Sequence, residues 1–219
     1  MTRSMVRTRV LVLMSLLVFA GATAWAQAQS REQAIQSLSN SDPFARREAA
    51  SRLGDVGTMV DVTLLLKSLR DADAKTREHA EEAIWQIWAR SGNAEVDALY
   101  RTGIEQMAAG DLQPGIATFT QVIRQKPDFA EGWNKRATLY FLAGDLRKSL
   151  ADCDEVMKRN PNHFGALSGY AQIYARLERY ERALDYSRRA LEINPNLDGV
   201  RRNMEVIEHL IEQRRRQSI

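Results

Sequence analysis

An all-α solenoid is the fold that this 219-residue sequence predicts, and three observations predict it. Pro127, Pro161 and Pro195 stand 34 residues apart, each just beyond a helical stretch, so one two-helix unit recurs three times. A second period, of 31 residues, runs earlier: Leu38, Asp42, Arg46, Ala49 and Leu53 recur as Leu69, Asp73, Arg77, Ala80 and Ile84. The composition favours Ala, Leu, Arg and Glu over β-branched runs, which suits helices throughout.

In chain order, the first element is a leader. Arg3, Arg7 and Arg9 precede an apolar run from Val10 to Ala20, and small residues follow up to Ala24-Trp25-Ala26. A basic start, about a dozen apolar residues and an A-x-A site describe a secretory signal peptide over residues 1–26, with Ala24 and Ala28 as rival cleavage positions. The apolar run is shorter than the ~20 residues needed to span a bilayer. An uncleaved leader is the only membrane attachment the sequence suggests. Its removal also changes the charge: the full chain carries 31 basic and 28 acidic residues, and loss of three arginines leaves 28 of each. A neutral mature chain lacks the basic field that nucleic-acid binding requires.

Residues 30–91 hold the 31-residue period. Asp42-Pro43 is a helix start, with Asp as cap and Pro in the first turn. Val60, Leu64, Leu65, Leu66 and Leu69 predict an apolar helix between the two copies. Aspartate, arginine four later and alanine three beyond that resemble the short bacterial HEAT-like repeat. The resemblance implies a capping aspartate and an arginine that bonds toward neighbouring turns. Trp85 and Trp88 close this segment and share part of one helix face.

The 34-residue units run over residues 94–127, 128–161 and 162–195. Their inner turns are Gly110-Asp111, Gly144-Asp145 and Glu178-Arg179; without glycine, the third should be looser. First helices carry Leu99, Gly103 and Gln106, then Trp133, Ala137 and Tyr140, then Leu167, Ala171 and Tyr174. Second helices carry Gly115, Phe119 and Val122, then Ser149, Cys153 and Val156, then Ala183, Ser187 and Ala190. Small residues admit a neighbouring helix and bulky ones fill the gaps. This pattern resembles the tetratricopeptide repeat, three copies in register. Residues 196–219 form a capping helix and tail: Val200, Met204, Ile207 and Ile211 fall on one face, opposite Arg201, Glu205, Glu208 and Glu212.

No catalytic or metal-binding constellation is visible, and no cofactor is expected. His79, His163 and His209 stand apart, with no second histidine or cysteine at ligand spacing. G-x-S-x-G, P-loop and G-x-G-x-x-G motifs are absent. Cys153, the only cysteine, falls at a buried position and reads as an inert core residue. Gly165 and Gly169, four apart, leave one helix face without side chains; either a ligand backbone or a neighbouring helix approaches closely there, which is the favoured reason, or the helix is simply weak.

The resemblance implies that first helices line a concave groove. The matching positions are Asp97, Tyr100, Ile104 and Met107 in the first repeat, and Glu131, Asn134, Thr138 and Phe141 in the second. In the third they are Ser168, Gln172 and Arg176. One subgroup of the family grips a peptide carboxylate with lysines, asparagines and an arginine. Here Tyr100, Ile104, Gly165 and Gly169 stand at those places, so that clamp is missing. The expected role is a non-catalytic scaffold or adaptor of the bacterial periplasm that binds another protein or peptide segment. A self-associating scaffold and a regulatory subunit of an envelope enzyme are the alternatives.

Overall fold

The structure, a computed structural model, describes residues 30–217. The leader predicted over residues 1–26 lies outside them. The described residues form eleven helices and no strand, in two compact units that divide between Ile87 and Trp88.

The first unit contains α1 (30–37), α2 (Pro43–Val56), α3 (Val62–Ser68) and nearly all of α4 (Ala74–Trp88). Asp42 caps α2 by accepting from the Phe44 amide at 3.0 Å, and Pro43 fills the first turn. Ala49, Leu53, Leu69, Ala80 and Ile84 of the 31-residue period are buried and form the core together with Leu65, while Leu38 is half-buried. The arginines of that period act alike. Arg46 donates to the carbonyls of Asn40 and Ser41, and Arg77 to those of Asp71 and Ala72. Three two-pronged arginine–carboxylate pairs tie the helices: Arg31–Asp61, Arg46–Asp71 and Arg47–Asp73, at 2.5–2.8 Å. Val60 departs from expectation. It lies outside α3 and is 77% exposed, because the chain turns there and Asp61 accepts from the Thr58 amide.

The second unit stacks three helical hairpins and a last helix. The hairpins are α5 (Ala94–Ala109) with α6 (Leu112–Gln125), α7 (Ala130–Leu142) with α8 (Leu146–Arg159), and α9 (Phe164–Arg176) with α10 (Tyr180–Ile193). Helix α11 (Asp198–Gln217) packs on α10. Each hairpin closes through the same turn. Asp111, Asp145 and Arg179 each donate a backbone N–H to the carbonyl five residues back, at 2.8–2.9 Å. Gly110 (φ 80°) and Gly144 (φ 81°) supply the left-handed residue. In the third turn Glu178 takes it at φ 57°, so this turn is as tight as the others. Left-handed geometry costs a side chain roughly 1–2 kcal/mol; the Glu178 carboxylate there accepts from Arg214 of α11.

Close packing falls where small residues face bulky ones. A Cβ added to Gly103 would stand 2.6 Å from the Phe119 ring, and one added to Gly115 would stand 2.7 Å from Leu139. Gly169 is different. A Cβ there would meet only Cys153 Sγ at 3.6 Å, an ordinary contact, so helix packing does not require this glycine.

These two surroundings give opposite expectations. Gly103→Ala should lower unfolding free energy by about 1–3 kcal/mol through overpacking against Phe119. Gly169→Ala should raise it by up to ~1 kcal/mol through helix propensity. Urea melts of the two variants check both signs.

Candidate groove and its polar closure

The predicted groove residues divide into a closed part and an open part. Tyr100, Glu131 and Asn134 are buried, Glu131 at 1% exposure. They meet as one network. The Tyr100 hydroxyl donates to Glu131 Oε2 at 3.3 Å, and Asn134 Nδ2 donates to both carboxylate oxygens at 3.1 and 3.2 Å. Lys135 Nζ lies 3.3 Å from Oε2. His163, the residue before α9, completes the set with Nε2 2.5 Å from Oε1. His163 Nδ1 accepts from the Ala166 amide at 3.0 Å, which places the ring proton on Nε2, donated to Glu131. The indole of Trp88 stacks on the imidazole, 4.4 Å between centroids and 17° from parallel.

These side chains therefore join α5, α7 and the entry to α9; Tyr100 and Glu131 are engaged inside the stack, while Asn134 also borders the smaller hollow beside Thr138. Their burial corrects the expectation that Tyr100, Glu131 and Asn134 line the groove as free side chains. His163 had no assigned role in the sequence. The 34-residue register aligns it with Phe129 and Leu197, apolar positions at helix starts, which is the signal that it is an inside residue. Burial pushes the Glu131 carboxyl upward. The His163 hydrogen bond, the Lys135 charge and the Asn134 amide outweigh it and hold the pKa at about 2. Burial, helped by Glu131, drives the Tyr100 phenol well above its usual range.

Asp97, Ile104 and Met107 are half-buried in the first repeat. Asp97 accepts from the Ser91 amide at 2.8 Å, while Ile104 and Met107 pack against the core around Phe119. The remaining predicted residues surround open space. Phe141, Ser168 and Gln172 line a cavity of about 350 Å³ whose far wall is α11, through Val200, Val206 and Leu210. Thr138 lines a smaller neighbour of about 110 Å³ beside Gly165 and Gly169. Both glycines thus border a void, and at Gly169 no neighbouring helix approaches closely. Arg176 is exposed, with its guanidinium over the Phe141 ring and a bond to the Phe141 carbonyl at 3.1 Å.

Val206 and Leu210 of the α11 wall lie off the Val200, Met204, Ile207 and Ile211 face that marks the helix as a cap. Adding 34 to Gln172 and Arg176 gives Val206 and Leu210, so α11 stands where a fourth first helix would. Cys153 is buried, and its thiol is pushed up to about 12, by burial first and then by Asp152 and Asp154. It is not a thiolate at neutral pH.

The Glu131 network generates a pH expectation. Its carboxyl has a folded pKa near 2, below the ordinary value near 4.5 that it regains on unfolding. It therefore contributes stability that is complete above about pH 4.5 and is lost as pH falls toward 2. Glu131→Gln should be less stable than the parent at pH 7 and should lack this part of the acid-limb slope, as urea unfolding from pH 7 down to pH 2 will report.

Comparison with known proteins agrees with this architecture. Residues 128–196 match the family model of the tetratricopeptide repeat. A tetratricopeptide repeat-containing protein of Rhizobium etli is 36% identical over 130 residues, 59% of this chain and 63% of its own length. The chain thus spans less than two thirds of that relative. Among solved structures, the tetratricopeptide domain of Sgt2 from Aspergillus fumigatus is similar over 57% of this chain and 83% of its own, with TM-score 0.54 and 23% identity. The first tetratricopeptide domain of Spaghetti (RPAP3), bound to the HSP90 peptide SRMEEVD, is similar over 53% and 93%, with TM-score 0.52 and 20% identity. At these identities the likeness is one of fold. The repeat stack that carries the groove is similar in fold to tetratricopeptide-repeat domains.

Proposed function

We propose that this chain is a non-catalytic scaffold or adaptor that holds a segment of another protein on the concave side of its repeats. The observation that carries the reading is the 350 Å³ cavity bordered by α9, α10 and α11, with Phe141, Ser168 and Gln172 at its edge. A preformed hollow between packed helices orders a ligand at small entropic cost. Peptide binding by a solved structure of the same fold supports it, since RPAP3 is seen with an HSP90 peptide. The partner here differs from that acidic tail, because Tyr100, Ile104, Gly165 and Gly169 replace the carboxylate-gripping side chains. Export to a bacterial periplasm is part of the proposal and rests on Arg3, Arg7, Arg9, the apolar run and Ala24-Trp25-Ala26. The HEAT-like reading of residues 30–91 rests on the 31-residue period and its matched arginines.

Two measurements test this. A photo-crosslinking residue at Gln172 should capture a distinct exported protein in cells, whereas one at exposed Arg188 of α10 should not. Crosslinks to this chain alone would replace the adaptor with a self-associating scaffold. N-terminal sequencing of the protein released from the periplasm should begin at Gln27; protein retained in the cytoplasm with Met1 intact would refute export.

A further inference from the structure

The turns of the second and third hairpins lie along one edge of the repeat stack. Arg176, which ends α9, donates to the Phe141 carbonyl near the end of α7 at 3.1 Å, and Arg214 of α11 reaches Glu178 in the third turn. Two of the three large apolar side chains that the second unit exposes stand on this edge, Leu142 at 52% and Leu177 at 38%; the third is Val206 of α11. Leu142 ends α7 and Leu177 follows α9, so both stand at the tips of turns. Exposed Ala143 lies beside Leu142. The equivalent positions of the first turn hold Ala108 and Ala109, so the bulk is confined to the second and third hairpins.

Charge follows the same division. Asp145 is matched by Lys148, and Glu178 by Arg214. Arg147, Arg176, Arg179 and Arg182 are exposed and form no ion pair among the described residues. Between Phe141 and Leu150, and between Ala175 and Leu184, Glu181 is the only further carboxylate. The first turn differs again: it holds Asp111 and no basic residue between Met107 and Gln113. Bases and acids nearly balance over the whole chain, so this excess of arginine is a local field.

We infer that this edge docks on an anionic lipid bilayer, with Leu142 and Leu177 dipping into the acyl boundary and Arg147, Arg176, Arg179 and Arg182 meeting lipid phosphates. Guanidinium forks match phosphate oxygens, and cations set around apolar tips are drawn to a negatively charged headgroup layer. Arginine stems lie along apolar surface while their heads stay at headgroup depth. Shape favours lipid over protein. A protein partner needs a formed pocket for each protruding leucine, whereas a bilayer receives any apolar tip of this size. Two leucines are too few for a permanent anchor, so the contact is reversible and weakened by salt. The inference does not depend on what the groove holds; it gives the stack a second working surface.

The test is flotation of the chain from Gln27 onward, which keeps every described helix and removes the apolar leader, with phosphatidylcholine vesicles that contain about 30% phosphatidylglycerol or none. The anionic vesicles should carry the protein at about 50 mM salt and release most of it at about 500 mM, and the neutral vesicles should not carry it. Arg147→Gln and Arg179→Gln should each weaken binding about fivefold. Leu142→Ser combined with Leu177→Ser should weaken it at least about tenfold. Helical circular dichroism should stay that of the parent, since these positions are exposed. Arg188→Gln, exposed on α10 away from the turns, should leave binding unchanged. Absence of flotation, or equal flotation with neutral vesicles, would overturn the inference. Binding that survives both leucine substitutions would reduce the contact to charge adsorption and overturn it too. So would a photo-crosslinking residue at Leu177 that captures a protein in cells while the vesicles stay bare.

Discussion

One buried carboxylate organises the repeat stack. Glu131 begins α7, yet its partners come from α5, from α7 itself and from the entry to α9. Repeats in a solenoid touch mainly their neighbours, so their relative placement rests on few contacts. A charge without water tolerates little displacement, since each lost hydrogen bond leaves it unsatisfied in a low-dielectric interior. The network therefore sets the spacing of the first helices, and with it the width of whatever lies between them. Apolar packing around Phe119 and Leu139 supplies the bulk of cohesion but could slide; the carboxylate supplies the register.

The architecture was legible in the sequence because it is periodic. Prolines at 34-residue intervals, glycines before the second helices and small residues facing bulky ones each have one physical meaning, and the helices lie where these signals put them. The period of 31 residues was legible for the same reason, down to the shared carbonyl bonding of Arg46 and Arg77. The site was legible only in part. Family positions identify which side chains point inward from the first helices, but not whether those side chains satisfy each other. Tyr100, Glu131 and Asn134 do, through His163, a residue that sits outside the inward-pointing set. Val206 and Leu210 were hidden differently: the capping helix was judged by its strongest apolar face, whereas the repeat register assigns it a second one. The third turn shows a local rule overridden, since Glu178 holds a glycine conformation.

Small residues serve two ends in this stack. At Gly103 and Gly115 they admit a neighbouring side chain that closes the core. At Gly165, Gly169 and Ser187 they leave space unfilled, and the space faces the groove. Residue type alone does not separate these cases. What separates them is the partner position: a bulky residue opposite means packing, and a second small residue opposite means a void. The repeats thus grade from a sealed first hairpin to a hollow third one, with helix α11 forming the far wall.

Cys153 has a consequence for how this protein meets its surroundings. It is the single cysteine of the chain and is buried, with a thiol far from ionisation at neutral pH. No intramolecular disulfide can form, and the sulfur is a poor target for thiol exchange. The native state is therefore indifferent to redox potential: the same fold is reached under reducing or oxidising conditions, with no thiol chemistry standing between the unfolded chain and its stack of helices.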